Sequence, residues 1–341
     1  MTHYKSTQTV LVTGGAGYIG SVLVPRLVNL GYKVKVLDLF IYGDDTLDEV
    51  KDNPNLELIK GDIRDQNILN KIMTGCDSVI HLACISNDPS VELDPSLSGS
   101  INYEAFEPLL KISKNRGVKR FIFASSGSIY GISDAKNITE DHPLVPVSLY
   151  NIYKAKCEKV LQKYQSKDFA TIIIRPATVC GYSTRQRLDL SVNILTNHAV
   201  NRGKITVFGG TQMRPNIHIK DMVDLYTKLL KYPEKLITGK TFNAGFENYS
   251  ITQIAKIVKE IVQGEVTSKE EIEIEVKPSD DIRSYHVSSN KIRRELGFEP
   301  KYGVRDGVLD LIKAFKEDKI PLPMTDIRYY NIDLMKHIKL N

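Results

Sequence analysis

The hydrophobic positions in the first half of the chain follow two alternating rhythms. Short, nearly all-apolar runs predict strands at Thr9 to Val12, Lys33 to Leu37, Leu56 to Ile59, Ser78 to Leu82, Arg120 to Ala124 and Thr171 to Ile174. Between them, apolar residues recur at helical spacing over Tyr18 to Leu30, Gln66 to Met73, Pro95 to Asn115 and Leu149 to Gln165. Strands apolar on almost every residue are covered on both faces, and regular strand–helix alternation builds a parallel sheet flanked by helices. The expected class is therefore α/β, a doubly wound parallel sheet.

After Arg175-Pro176 the rhythm changes. An irregular loop, a helix near Asp189 to Asn201, short strands around Ile205 to Phe208 and Ile217 to Ile219, and later helices predict a smaller α+β lobe. With no internal repeat or Ser/Gly linker, that lobe must grow out of the first unit rather than hang from a tether. The expected organisation is residues 1–176 as the first domain, with later segments returning to it, 177–317 mainly as the second lobe, and a tail at 318–341. The tail has prolines and tyrosines but no clear period, so no role is assigned to it.

Composition narrows the classes of function. In 341 residues, 42% hydrophobic and 26% interspersed charged residues supply a substantial core and argue against disorder. The net charge of +5 is scattered in small clusters, with no basic arm, which speaks against nucleic acid and leaves a small anionic ligand open. The four cysteines form no Cys-x-x-Cys pair and the seven histidines form no pair at ligand spacing, so no metal site is expected. No apolar run reaches the roughly 18 residues of a membrane helix, and no leader opens the sequence; the expected location is the cytoplasm, without a membrane partner.

The first predicted strand runs into Thr13-Gly14-Gly15-Ala16-Gly17-Tyr18-Ile19-Gly20, where a helical pattern begins. Strand, glycine turn and helix in that order let backbone N–H groups and the helix dipole face a diphosphate, as in a Rossmann unit. Gly14 makes the tight turn, Gly17 leaves room for the diphosphate and Gly20 lets the helix pack close to the strand; Tyr18 and Ile19 complete the cradle. Asp38 ends the second strand, where a carboxylate accepts hydrogen bonds from the adenosine ribose and repels a 2′-phosphate. The expected cofactor is NAD rather than NADP.

The fifth strand ends in Ser125-Ser126-Gly127-Ser128, and Tyr150 and Lys154 follow one helical turn apart near the start of a helix. That spacing places both side chains on one face, where the ammonium can stabilise a phenolate. To act as a base at neutral pH the phenol must ionise roughly three pH units below its usual value, which takes about 4 kcal/mol. Lys154 and a nicotinamide cation are expected to supply it. Lys154 would also bind the nicotinamide ribose, and Ser126 would bond a substrate oxygen as it becomes a carbonyl. Tyr153 is the rival tyrosine, but no lysine follows it at four residues.

With these residues in this order, the chain resembles the extended short-chain dehydrogenase/reductase family, particularly its nucleotide-sugar epimerases and dehydratases. The resemblance covers about Thr9 to Phe315. Its carriers are Thr13 to Gly20, Gly61 to Arg64, His81 to Ala83, the serine strand, the Tyr150 helix, Arg175 to Ala177, Arg214 to Asp221 and Asp281 to Tyr285. It implies Asp62 and Ile63 near the adenine, Leu82 and Ala83 along the cofactor, and Asn102 as a support for the site.

On the substrate side the resemblance implies a nucleotide-diphosphate sugar. Arg214 and the Asp281/Arg283 segment would contact its diphosphate, two planar donor forks being suited to that group. Thr178 stands where many relatives carry an asparagine beside the sugar phosphate. The segment Arg185 to Asn193 would cover the nucleotide, with Asn193 at its end. His218 reads as a packed residue, and a homodimer through the Pro95 to Asn115 and Leu149 to Gln165 helices is implied.

In 4,6-dehydratases of this family an acidic pair follows the position of Ser126; here Gly127 and Ser128 stand there, and neither can do acid–base work at neutral pH. The cysteine of some C3/C5 epimerases is also replaced, by Ser128. What remains is oxidation at C4, rotation of the 4-keto sugar and hydride return, a 4-epimerase. A C4 dehydrogenase or 4-keto reductase would need the same residues and stays open.

Overall fold

The computed structural model describes residues 8–133, 135–266, 271–279, 283–338 and 340. Its strands are, in chain order, β1 (Thr9–Thr13), β2 (Lys33–Asp38), β3 (Leu56–Lys60), β4 (Ser78–His81), β5 (Arg120–Ala124), β6 (Ala170–Pro176), β7 (Thr178–Cys180), β8 (Lys204–Phe208), β9 (Met213–His218), β10 (Lys240–Ala244), β11 (Glu247–Ser250) and β12 (Glu273–Lys277). Seven of them form one parallel sheet in the order β10-β6-β5-β4-β1-β2-β3.

The apolar strand sequences make sense once their two faces are followed. Val10 and Val12 of β1 point into one core with Val34, Val36, Ile122 and Ile174, under the helix Gly20–Asn29. Leu11, between them, points into the opposite core with Val79, Phe121, Phe123 and Ile173, under the helices Phe106–Asn115 and Leu149–Tyr164. Successive strand residues face opposite sides, so burying both sides requires apolar residues throughout. β3 departs from the expected apolar run: as an edge strand it leaves Glu57 and Leu58 exposed.

The chain leaves β1 toward β2 on one side and reaches β4 on the other, so a crevice opens between the carboxyl ends of β1 and β4, where doubly wound sheets bind ligands. The second lobe stands over that crevice. It contains the sheet β11-β9-β7, the pair β12-β8, and the helices Ser191–Arg202, Ile251–Glu265 and Val304–Lys316 around a separate apolar core. β10 returns to the edge of the main sheet beside β6, and the helix Ile219–Leu229 packs on Gly20–Asn29.

Three local expectations change. Pro95 to Asn115 is not one helix but Pro95–Gly99, a widened π-type turn at Ser100–Glu104, and Phe106–Asn115. The wide turn aims Asn102 at the loop after β4, where its amide bonds both backbone groups of Ile85, at 2.8 and 2.9 Å. Asp88–Leu93 forms an additional short helix. The tail contains the helix Asn331–His337, which packs on Asp88–Leu93.

His81, at the end of β4, is buried among Phe106, Phe121 and Phe123 and bonds Thr13 through Nδ1 at 2.7 Å. Burial, helped by the nearby Lys154 charge, pushes its pKa down to about 3. The unfolded chain therefore takes up a proton below about pH 6.5 that the folded protein refuses until about pH 3. Its contribution to stability is complete above that window and declines as pH falls through it, by up to about 1.4 kcal/mol per pH unit. Urea unfolding at pH 7, 6, 5 and 4 should show this slope, and His81→Gln should flatten it; equal slopes for both proteins would refute the assignment.

Candidate active site

The glycine turn is built by close packing. Gly14 sits at φ +71°, and a Cβ there would lie 2.6 Å from the backbone nitrogen of Ala83. The β1 turn thus presses directly on the end of β4. The expected role of Gly20 is corrected: a Cβ at Gly20 would strike the carbonyl oxygens of Gly15 and Gly14, whereas Gly15 is the residue lying against Val36 of β2 and Val24 of the helix. Gly17 faces the crevice, where a Cβ would meet only Gly14 O at 3.2 Å.

A cavity of about 710 Å³ runs from this turn to the second lobe. Gly14, Gly17, Tyr18, Ile19, Gly20, Asp38, Asp62, Ile63, Leu82 and Ala83 line one part; Ser126, Tyr150, Lys154, Thr178, Arg214 and Arg283 line the rest. Asp38 accepts from the backbone N–H groups of Ala16 and Phe40, both at 2.9 Å, so the glycine turn itself orients the carboxylate. Asp62 is gripped by Arg64 through both oxygens, which holds its carboxyl below the usual range. A nucleotide base must therefore meet Asp62 as half of an ion pair.

Ser126, Tyr150 and Lys154 converge from β5 and the helix Leu149–Tyr164. Ser148 caps that helix, accepting from Asn151 N at 3.3 Å. Ser126 is steadied by Ser128, with Oγ atoms 2.7 Å apart, and Ser128 bonds Asn151. This chain of partners was not legible in the sequence. Lys154 is buried, lies 5.7 Å from the centre of the Tyr150 ring and donates to Ala124 O at 2.7 Å.

The phenol behaves differently from the expectation. Burial pushes Tyr150 well above its usual pKa, reinforced by Cys84 and Asp88, while Arg187 and a bond with Ser126 pull the other way. The expected ammonium is not among these main influences; Lys154 donates to the Ala124 carbonyl. Among these main influences the cation is Arg187, from the second lobe.

Behind the serines lies a buried ion pair. Glu158, one turn beyond Lys154 on the same helix, is bound by Arg175 of β6 at 3.0 and 2.7 Å and accepts from Ser125 Oγ. Arg175 also donates to Tyr130 OH at 2.7 Å, and Tyr130 donates to Asn243 of β10.

The second lobe contributes less directly than its sequence suggests. Asn193 does not line the cavity: fully buried, it bonds Gly181 N, Tyr18 OH and Arg187 O, tying the lobe to the glycine turn. Arg214 lines the cavity while bonding the backbone carbonyls of Met213 and Arg283. Arg283 also lines it and pairs with Asp88 from the loop after β4. Asp281 lies outside the described residues. His218 is buried and caps Ile219–Leu229 through Nδ1.

Sequence reasoning missed Tyr42 and Asp88 in this lining, and the tail residues Asn331, Ile332, Met335 and Leu340; Arg187 and Asp189 fall in the segment expected to cover the nucleotide. The dense charges of Arg185 to Asp189 were a signal for part of it; the tail carried none.

Residues 10–245 match the model of the NAD dependent epimerase/dehydratase family. The chain is 30% identical to UDP-glucose 4-epimerase of Lactobacillus helveticus, over 88% of this chain and 94% of that one. Two solved structures, each 25% identical, share its fold. One is DesIV, dTDP-glucose 4,6-dehydratase of Streptomyces venezuelae with NAD and TYD bound, at a TM-score of 0.81 over 92% of this chain and 98% of that one. The other is the UDP-glucuronic acid 4-epimerase of Bacillus cereus with UDP-glucuronic acid and NAD, at 0.82 over 91% and 99%.

Removing one partner of a buried ion pair strands the other charge, at a cost of about 3–5 kcal/mol. Glu158→Ala should therefore lower the unfolding free energy by about that amount, and Glu158→Gln, which keeps an acceptor for Ser125, by less. Denaturant titration of the three proteins checks this, and a loss below about 1 kcal/mol for the alanine variant would show that the pair is not holding these elements together.

Proposed function

The chain belongs to the NAD dependent epimerase/dehydratase family, as an NAD-dependent nucleotide-sugar enzyme of the extended short-chain dehydrogenase/reductase type, and from that premise we propose that it is a 4-epimerase. One observation carries this reading: every carboxylate in the described lining is already engaged. Asp38 holds backbone N–H groups, Asp62 holds Arg64, Asp88 holds Ser148 and Arg283, and Asp189 holds Arg187. Beside Ser126, Gly127 leaves little room for a side chain, since a Cβ would press on Pro176 O at 3.0 Å, and the Ser128 hydroxyl is spoken for. No carboxyl group in the described lining is free to remove a C5 proton or protonate a leaving hydroxyl, so elimination of water lacks its acid and base there.

Oxidation at C4 needs neither. Tyr150 takes the proton of the C4 hydroxyl, Ser126 bonds the oxygen as it becomes a carbonyl, and Lys154 holds the ribose side of the crevice. Bound NAD supplies the hydride acceptor and a positive charge beside the phenol. The nucleotide diphosphate lies under Arg214 and Arg283, with Thr178 and the 187–189 loop beside the sugar. Anchored only through its diphosphate, the 4-keto sugar turns its other face to the crevice, and Tyr150 returns the proton as hydride returns. From the family resemblance we also infer a cytoplasmic homodimer, joined through the Pro95 to Asn115 and Leu149 to Gln165 segments.

Proton NMR of the purified enzyme with UDP-, dTDP-, GDP- and CDP-sugars tests the proposal. A new C4 epimer without accumulation of NADH is expected, from a UDP- or dTDP-sugar first. Stoichiometric NADH would make it a dehydrogenase, and a 4-keto-6-deoxy product a dehydratase. Tyr150→Phe should lower kcat by about 10²- to 10⁴-fold. Arg214→Ala should weaken sugar-nucleotide binding by about ten- to a hundred-fold, the loss of a charge-assisted bond; unchanged KM and kcat would remove Arg214 from the site.

A further inference from the structure

Arg185 is only 3% exposed, yet it lines the cavity, and its Nε and Nη1 have no hydrogen-bond partner among the described residues. A guanidinium buried with two of its three nitrogens lacking a hydrogen-bond partner is costly, so a structure that keeps one has a use for it. Burial, with the nearby Arg187 charge, pushes its pKa down to about 10, which leaves it charged at neutral pH.

Its position says what it faces. The loop that carries it is fastened to the glycine turn and the first helix. Arg185 N donates to Ser21 Oγ at 3.1 Å, Ser183 Oγ donates to Tyr18 O at 2.7 Å, and Thr184 Oγ1 donates to Ser21 O at 3.3 Å. The guanidinium carbon lies over the Tyr42 ring, 3.5 Å from its centre, and its field reaches Asp38. These neighbours belong to the NAD end of the cavity. Arg214 and Arg283 come from other segments of the second lobe.

The third nitrogen is held by the tail. Arg185 Nη2 donates to Asn331 Oδ1, while Asn331 Nδ2 donates to Ser86 Oγ at 2.8 Å and Asn331 N to Asp189 Oδ2 at 3.1 Å. One buried asparagine thus joins the loop after β4, the 185–189 loop and the tail across the front of the crevice.

We propose that Arg185 and Asn331 form a lock on the cofactor: Arg185 turns its two free N–H faces onto the diphosphate of NAD lying over the Gly14–Gly20 turn, and Asn331 holds it there. The turn's backbone N–H groups approach the diphosphate from one side and the guanidinium from the other, so release requires the tail to unlatch. This gives the tail a role and makes NAD a resident group. The inference needs only that the crevice holds NAD, not the C4 chemistry proposed above, so the two can fail separately.

The test measures retention and binding, not turnover. Dinucleotide content is determined by heat denaturation of desalted wild type, Arg185→Gln, Arg185→Lys and Asn331→Ala; stripped proteins are then titrated with NAD, ADP and adenosine. Arg185→Gln should lose most of its co-purified dinucleotide and bind NAD and ADP about 10- to 100-fold more weakly, with adenosine nearly unchanged, because adenosine carries no diphosphate. Arg185→Lys should fall between wild type and Gln, and Asn331→Ala should release NAD faster with an intact unfolding transition. Full retention in Arg185→Gln, or adenosine weakened as much as ADP, would overturn the proposal. If the Gln variant does not fold, wild-type ADP affinity in Arg185→Lys together with wild-type release in Asn331→Ala would do the same. Wild-type protein binding NADP more tightly than NAD would assign the guanidinium to a 2′-phosphate and likewise reject it.

Discussion

The site depends on the buried pair between Glu158 and Arg175, which meets the cavity lining through Ser125. It joins the helix that carries Tyr150 and Lys154 to β6, and through Ser125 and Tyr130 to the segment that carries Ser126. Two buried charges are expensive to desolvate, and a hydrophobic contact of the same volume would often be as stable. An apolar contact has no preferred angle, however, whereas a forked guanidinium on a carboxylate fixes both distance and orientation. Since misplacing a reacting group by an ångström costs orders of magnitude in rate, such a pair behind the serines has a reason to persist in a core that could be filled with leucine.

The front of the site is organised on the opposite principle. Its closing parts come from segments remote in sequence: Tyr42 after β2, Ser86 to Asp88 after β4, Arg185 to Asp189, Arg283, and the tail at Asn331. They meet through a few polar contacts and one small apolar cluster, in which Leu188 packs with Leu311, Ile320 and Tyr329, separate from the cores that flank the sheet. Contacts of that kind open at low cost compared with the sheet behind them, as an entrance requires. The rigid half holds the groups that react, and the looser half holds the groups that let ligands in.

This division also explains what could be read from the sequence. β5 carried its own signal over its full length, and the glycine turn, Asp38, Ser126, Tyr150 and Lys154 are local patterns whose geometry follows from a strand end or one helical turn. The site's other residues owe their roles to partners far along the chain. Asn193 looked like a ligand-binding amide until Tyr18 and Gly181 claimed it; Asp62 was taken by Arg64, and Arg283 is shared with Asp88. β10 escaped notice because Lys240 and Asn243 interrupt its short apolar run. The break at Ser100–Glu104 was hidden because a π-type turn keeps nearly the same apolar spacing as the helix it interrupts.

The raised pKa of Tyr150 turns from an obstacle into part of the proposed cycle once the charges are followed. Diphosphates entering the cavity would add negative charge, which alone would make the phenol harder to ionise; in the proposed reading the lining arginines Arg185, Arg187, Arg214 and Arg283 offset it. What then distinguishes the two halves of the cycle is the one positive charge that hydride transfer removes beside Tyr150. Bound NAD would place that charge beside the phenol and offset the burial, favouring a phenolate that would take the proton of the C4 hydroxyl. Afterwards the buried, partner-poor surroundings dominate again and hold the proton on Tyr150 until hydride goes back. A more solvated phenol with a permanently low pKa would lose the proton to water in the interval and leave the 4-keto sugar stranded. Desolvation that slows the first ionisation therefore keeps proton and hydride together, which a redox-neutral epimerisation needs and a net dehydrogenation does not.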